Sequence, residues 1–101
     1  MIKITINKNK NIIDSVVVSG HALYGDFGKD IVCAGVSSIV TTSINAILSL
    51  EEDSIKFEQK EGFVKIEIIK NTDIVNKLIN NMINMFIDIE KRYPKNIKIF
   101  K

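Results

Sequence analysis

The chain has 101 residues, of which 46% are hydrophobic and 26% charged; this predicts a single globular domain over residues 1–101 and excludes wholesale disorder. Its net charge of +2 is too balanced for a dedicated nucleic-acid-binding protein, whose affinity comes largely from neutralising phosphates. One cysteine excludes an internal disulfide and, with one histidine, a closed Cys/His zinc site within one chain, so we expect no metal or other cofactor. A lone thiol and an alternating, rather than continuously apolar, amino terminus fit a protein of the reducing cytoplasm.

The first half of the chain predicts a β-hairpin followed by a long helix. The isoleucines at positions 2, 4 and 6 alternate with polar residues, as in a half-buried strand. A polar turn over residues 8–11 leads to a strand rich in valine and isoleucine, Ile12–Ser19, which would pair with the first. Glycines break the pattern over residues 20–29. Asp30 then stands where a carboxylate can cap a helix that reaches about Leu50.

Residues 31–50 carry no charge and meet the length criterion for a membrane span. Six of them are Ser or Thr, acidic residues follow at 51–53, and neither end has a basic cluster or an aromatic belt. We therefore expect no membrane association, and interpret the segment as a helix that meets protein on most of its circumference.

The second half predicts another hairpin, a second helix and a last strand. Alternation over residues 55–58 and 64–68 flanks the turn Glu61-Gly62. Thr72 can cap a helix with an apolar stripe that Pro94 ends near Tyr93, and Met82 and Met85 are expected as core residues of that helix. Residues 96–101 alternate again. The order β-β-α-β-β-α-β predicts an α+β fold, a mostly antiparallel sheet with two helices packed against it.

The segment from Gly20 to Ser37 holds both the single histidine, His21, and the single cysteine, Cys33. With Asp30 as N-cap, Cys33 would lie in the first helical turn, where the helix dipole and nearby amides would lower the pKa of its thiol below the roughly 8.5 of free cysteine. A nearby imidazolium would lower it further, and such a pair suffices for nucleophilic catalysis.

From spacing alone, plainer interpretations stay open. Cys33 fits a small buried hydrophobic residue and His21 a surface or capping residue. Asp30 fits a helix cap, and Ser37, one turn beyond Cys33, fits a serine that makes a local helix hydrogen bond, although it also stands near the thiol.

A longer pattern in this segment resembles the signature of the Prp family, the ribosomal-processing cysteine proteases of Firmicutes and some related bacteria. The pattern consists of Gly20-His21-Ala22, Gly25, Gly28, Asp30-Ile31-Val32-Cys33-Ala34 and Val36-Ser37. The offset from His21 to Cys33, the chain length and the element order agree with the family as well. Gly35 departs from it, because alanine is expected there, and glycine should loosen the helix by up to about 1 kcal/mol.

The resemblance implies a small cytoplasmic homodimer that removes a short amino-terminal extension from large-subunit ribosomal protein twenty-seven. It implies that His21 is the catalytic base and Cys33 the nucleophile. The glycine-containing loop, with Gly25 and Gly28, would be mobile and would order over the substrate precursor. Neither a membrane nor direct contact with nucleic acid is required.

Further roles in such a protease are hypotheses. Backbone amides at the helix start, those of Val32 or Cys33, would hold the oxyanion. Asp30, with Asp26 behind it, is a candidate for orienting His21. Tyr24 and Phe27 would line or close an apolar groove, and Phe27 fits an anchor of the hinge loop equally well.

Two other functions are compatible with the residues. A non-enzymatic ribosome- or RNA-associated domain would use the carboxy-terminal cations, which equally fit a solvated face; they are Lys91, Arg92, Lys95, Lys98 and Lys101. A redox-sensing thiol at Cys33 is less favoured, since the chain has no second cysteine to resolve a sulfenate.

Overall fold

The computed structural model describes residues 1–20 and 27–101, and of residues 27–30 it describes the backbone. Within these ranges, five strands and two helices follow one another in the predicted order. The strands are β1 (Ile2–Asn9), β2 (Ile12–Ser19), β3 (Ile55–Lys60), β4 (Phe63–Ile68) and β5 (Ile97–Phe100), and the helices are α1 (Phe27–Leu50) and α2 (Asp73–Arg92).

The sheet is mixed, with the strand order β3-β4-β2-β1-β5. Three of its four pairings are antiparallel, which confirms the prediction of a mostly antiparallel sheet. The fourth pairs β5 parallel to β1. Helix α2 supplies the crossover that such a parallel pairing needs, because it carries the chain from β4 to the opposite edge of the sheet.

The hairpin between β1 and β2 turns on two residues, Lys10 and Asn11, with φ angles of 54° and 66°. Two positive φ angles in a two-residue loop match the right-handed twist of the flanking strands. The turn is therefore shorter than the predicted residues 8–11. Strand β1 therefore continues to Asn9, and its pairing with β2 shifts in register between Asn7 and Lys8.

One face of the sheet is apolar and forms the core with both helices. The register aligns Ile4, Val18 and Val64 in one buried row and Ile6, Val16 and Ile66 in the next. The helices contribute to the same core cluster Val32, Val36, Val40, Ile44 and Ile47 from α1, and Val75, Ile79, Met82, Ile83 and Phe86 from α2. The alternation of the strands and the stripe of α2 thus predicted most of the core, but Met85 on α2 and Phe57 on β3 are 43% and 47% exposed.

The uncharged segment Ile31–Leu50 is long and apolar enough to cross a membrane, and 33% of it is buried within the protein. Its buried side chains face the sheet and α2 as part of the common core. The segment thus packs as a core helix on one side only, and the expectation that protein covers most of its circumference is not met within the described residues. The outer side of α1 remains unusually poor in charge for a solvent-facing surface.

Candidate active site

Gly20 fixes the point where the chain leaves β2, directly before His21. Its φ is +73°, and a Cβ atom at this position would lie 2.6 Å from the backbone oxygen of Met1. Its amide donates to the carbonyl oxygen of Gly62 at 3.0 Å, which ties the exit of β2 to the turn before β4. Only glycine satisfies both the positive φ and the close approach to Met1.

Cys33 lies on α1, half-buried and packed against the core. Helix α1 begins at Phe27, so Cys33 is its seventh residue and belongs to the second turn. The prediction of Asp30 as N-cap is therefore wrong: its backbone is helical and lies in the first turn, where a carboxylate still interacts favourably with the helix dipole. The predicted loop likewise ends earlier, since the backbones of Phe27 and Gly28 are part of α1.

This earlier start changes the electrostatics expected around Cys33. The helix dipole acts mainly within the first turn, so it favours a thiolate in the second turn less than predicted. Only the first four amides of a helix lack a partner within it. The amides of Val32 and Cys33 therefore donate along the helix axis to the carbonyls of residues 28 and 29. They are not free to hold an oxyanion, contrary to the sequence-based hypothesis.

A small pocket of about 20 Å³ joins the exit of β2 to Cys33. It has room for about one water molecule. The residues that line it are Met1, Ile2, Gly20, Val32, Cys33, Lys95 and Asn96. Gly20 and Cys33 thus face the same space, and His21 is the next residue in the chain after Gly20.

Lys95 and Asn96 are site residues that the sequence did not predict. They lie between α2 and β5, far from the His-Cys segment in sequence. They reach the pocket because β5 pairs with β1, and the amide of Ile2 donates to the carbonyl oxygen of Asn96 at 2.8 Å. The only signal in the sequence was the polar interruption after Pro94, which also fits an ordinary helix end.

The other predicted site residues are distributed as follows. Ser37 is exposed and lines a separate crevice between α1 and the sheet, together with Thr41 and Gln59. His21, Tyr24, Gly25 and Asp26 lie outside the described residues. Among residues 1–20 and 27–101, no group of three or more His, Cys, Asp or Glu side chains is arranged to hold a metal ion.

Comparison with known proteins assigns the family. The family model described as cysteine protease Prp matches residues 1–98. The chain belongs to the Prp cysteine protease family. The ribosomal processing cysteine protease Prp of Staphylococcus aureus is 34% identical over 101 residues, covering 97% of this chain and 94% of that protein. The Bacillus subtilis protein of the same name is 31% identical over 108 residues, covering 98% and 96%.

Solved structures of Prp share the whole fold. A crystal structure of the essential Prp from S. aureus with a substrate peptide has a TM-score of 0.92 at 30% identity, and the match covers 100% of both chains. A second structure, with a covalently linked product peptide, has a TM-score of 0.89 at 31% identity and covers 99% of this chain and 98% of that one. The order of elements and the mixed sheet of this chain are thus those of Prp proteases.

Proposed function

We propose that this chain is a cysteine endopeptidase that removes the amino-terminal extension of large-subunit ribosomal protein twenty-seven before ribosome assembly. Cys33 is the nucleophile, and His21 is the general base and acid. The observation that carries the proposal is the pocket shared by Gly20 and Cys33, since it brings the residue before the single histidine beside the single cysteine. Membership of the Prp family and the peptide-bound relatives support the same reaction class.

In this mechanism His21 takes the proton of the Cys33 thiol, and the thiolate attacks the scissile carbonyl. The C–N bond breaks as His21 gives that proton to the leaving amine, which leaves a thioester on Cys33. A water molecule then loses a proton to His21 and attacks the thioester. Release of the acid returns the thiol, so the enzyme is unchanged after one turnover.

Cleavage of the extended precursor of this ribosomal protein tests the proposal directly. We expect mass spectrometry to show a shortened product with the wild-type chain and none with Cys33→Ala or His21→Ala. Ser49→Ala is a suitable control, because Ser49 is exposed on the same helix and its hydroxyl donates only to the carbonyl of Ala46. Cleavage that persists in Cys33→Ala would rule out the enzyme, and an intact precursor with the wild-type chain would favour a non-enzymatic binding domain.

The rate of Cys33 alkylation as a function of pH tests the pairing with His21. An adjacent imidazolium favours the thiolate, so we expect a midpoint below the roughly 8.5 of free cysteine. In His21→Ala the midpoint should move upwards. A midpoint equal to that of free cysteine in both proteins would mean that the histidine does not act on the thiol.

We also propose that the protease works in the cytoplasm as a homodimer, with the outer side of α1 as part of the interface. This side is uncharged, and a groove of about 210 Å³ separates it from α2. Ile39, Leu78 and Met85 are among the residues that line the groove. A second copy related by a two-fold axis would cover this surface in both subunits.

Sedimentation equilibrium of Met85→Glu tests this assembly, since a buried carboxylate in the groove would oppose association. We expect a dimer for the wild-type chain, a monomer for Met85→Glu, and a dimer for Asn84→Glu, which alters an exposed neighbour on α2. A monomeric wild-type chain would contradict the dimer.

A further inference from the structure

We propose that the side-chain amide of Asn96 donates a hydrogen bond to the oxyanion that forms when Cys33 attacks the substrate carbonyl. The inference rests on the proposed protease function and adds a catalytic residue to it. Attack by the thiolate moves the carbonyl π electrons onto oxygen, and the resulting negative charge needs donors that are already in position. The question is which groups around Cys33 can supply them.

Among the described residues, four backbone amides around Cys33 are already engaged. Those of Val32 and Cys33 belong to the hydrogen-bond ladder of α1. Around the same pocket, the amide of Gly20 donates to Gly62 and that of Ile2 donates to Asn96. Of the described residues that line the pocket, those with side-chain N–H groups are Lys95 and Asn96, and these are the side-chain candidates for the oxyanion donor.

Asn96 suits this role because its backbone is fixed on both sides. Its amide donates to the carbonyl oxygen of Tyr93 at 2.9 Å, and its own carbonyl accepts from Ile2 at 2.8 Å. Its side chain is half-buried, and within residues 1–20 and 27–101 its carboxamide makes no hydrogen bond. The group is thus held beside Cys33 with its two N–H donors uncommitted to the described residues.

Lys95 is less suited to this position. It is exposed, and its ammonium is carried by a long flexible stem that would have to be ordered in each turnover. A short carboxamide on a fixed backbone loses little freedom when it binds the oxyanion. For that reason we assign the donor to Asn96.

The test compares two reactions of the same thiol. Cleavage of the ribosomal precursor passes through an oxyanion, whereas alkylation of Cys33 by iodoacetamide displaces iodide and forms none. For Asn96→Ala we expect kcat for cleavage to fall about 100- to 1,000-fold, with KM and the alkylation rate close to those of the wild-type chain. Asn96→Asp, which keeps the shape but replaces the donor with a carboxylate, should lose at least as much. Asn84→Ala, at an exposed position of α2 outside the pocket, should keep kcat within a few-fold of the wild-type value.

The outcomes separate this inference from the proposed function. If Asn96→Ala cleaves the precursor as fast as the wild-type chain, Asn96 is not the oxyanion donor, and the proposed protease function is unaffected. Equal losses of cleavage and alkylation would show a structural role and would also overturn it. A wild-type chain that never cleaves the precursor would overturn the protease and this residue with it. The hydrogen bonds of Asn96 to Tyr93 and Ile2 use its backbone groups, which both substitutions keep. We therefore expect circular dichroism to show that Asn96→Ala and Asn96→Asp are folded.

Discussion

The carboxylate of Glu90 on α2 accepts a hydrogen bond of 2.8 Å from the backbone amide of Ile99 in β5. Strand β5 is the outermost strand on its side of the sheet and pairs only with β1 among the described strands. A free edge of this kind exposes amides to pairing with other chains. Glu90 therefore covers one donor of the edge and joins α2 to the strand that follows it.

We predict that Glu90→Ala lowers the free energy of unfolding by about 1–2 kcal/mol, because the amide of Ile99 loses a charged acceptor. Glu90→Gln should lose less, since its amide oxygen can still accept. Urea denaturation measures both, with Asp88→Ala, an exposed residue of the same helix, as the control. Equal effects of alanine at positions 90 and 88 would mean that the hydrogen bond adds nothing to stability.

A second prediction concerns Gly20. In Gly20→Ala the backbone must keep a positive φ with a Cβ, and that Cβ would meet the Met1 carbonyl at 2.6 Å. We expect a loss of about 1–3 kcal/mol in the free energy of unfolding, measured by urea denaturation. The backbone shift would also move residue 21 relative to Cys33, so precursor cleavage should fall even where the variant is fully folded. A variant with wild-type stability and activity would show that the close approach is not needed.

Gly35 provides the opposite case on α1. A Cβ at this position would lie 3.5 Å from Cδ1 of Ile89, an ordinary packing distance, and the backbone is helical. Gly35→Ala should therefore raise the free energy of unfolding by up to about 1 kcal/mol, because alanine loses less backbone freedom in a helix. Thermal denaturation of the wild-type chain, Gly35→Ala and Gly20→Ala under the same conditions compares their melting temperatures. A lower melting temperature for Gly35→Ala would mean that α1 and α2 need the space.

The sequence predicted the local features of this fold well, since short-range chemistry determines them. The bounds of β2 are those expected, and Thr72 caps α2 by accepting from the amide of Val75 at 3.2 Å. The predicted start of α1 was four residues too late, at Ile31 instead of Phe27, because Asp30 is a good cap but also a tolerated first-turn residue. A capping preference alone does not distinguish these two positions.

The composition of the site was harder to predict because it depends on distant pairing. The glycines of the intervening segment permit the exit of β2 to approach Cys33 without requiring it, and Gly20 and Cys33 do share a pocket. Lys95 and Asn96 join them only because β5 pairs parallel to β1, at the far edge from β3. Neither periodicity nor turn chemistry specifies that strand order, so no local pattern could assign these two residues to the site.

A last prediction concerns Ser54, just before β3. Its side chain is fully buried, and within the described parts of the chain its hydroxyl makes no hydrogen bond. Its backbone is well used, because its carbonyl accepts from the amides of Ile69 and Lys70 at 2.8 and 3.0 Å. Ser54→Ala keeps those bonds and removes a buried polar group without a partner.

We therefore expect Ser54→Ala to raise the free energy of unfolding by about 1 kcal/mol in urea denaturation. Ser49→Ala, which removes an exposed hydroxyl, should stay within about 0.5 kcal/mol of the wild-type value. A clear loss of stability in Ser54→Ala would contradict this account and point to a water molecule bound to the hydroxyl. In that case the buried hydroxyl would stabilise the junction between α1 and β3 through the water, and a high-resolution crystal structure should show it.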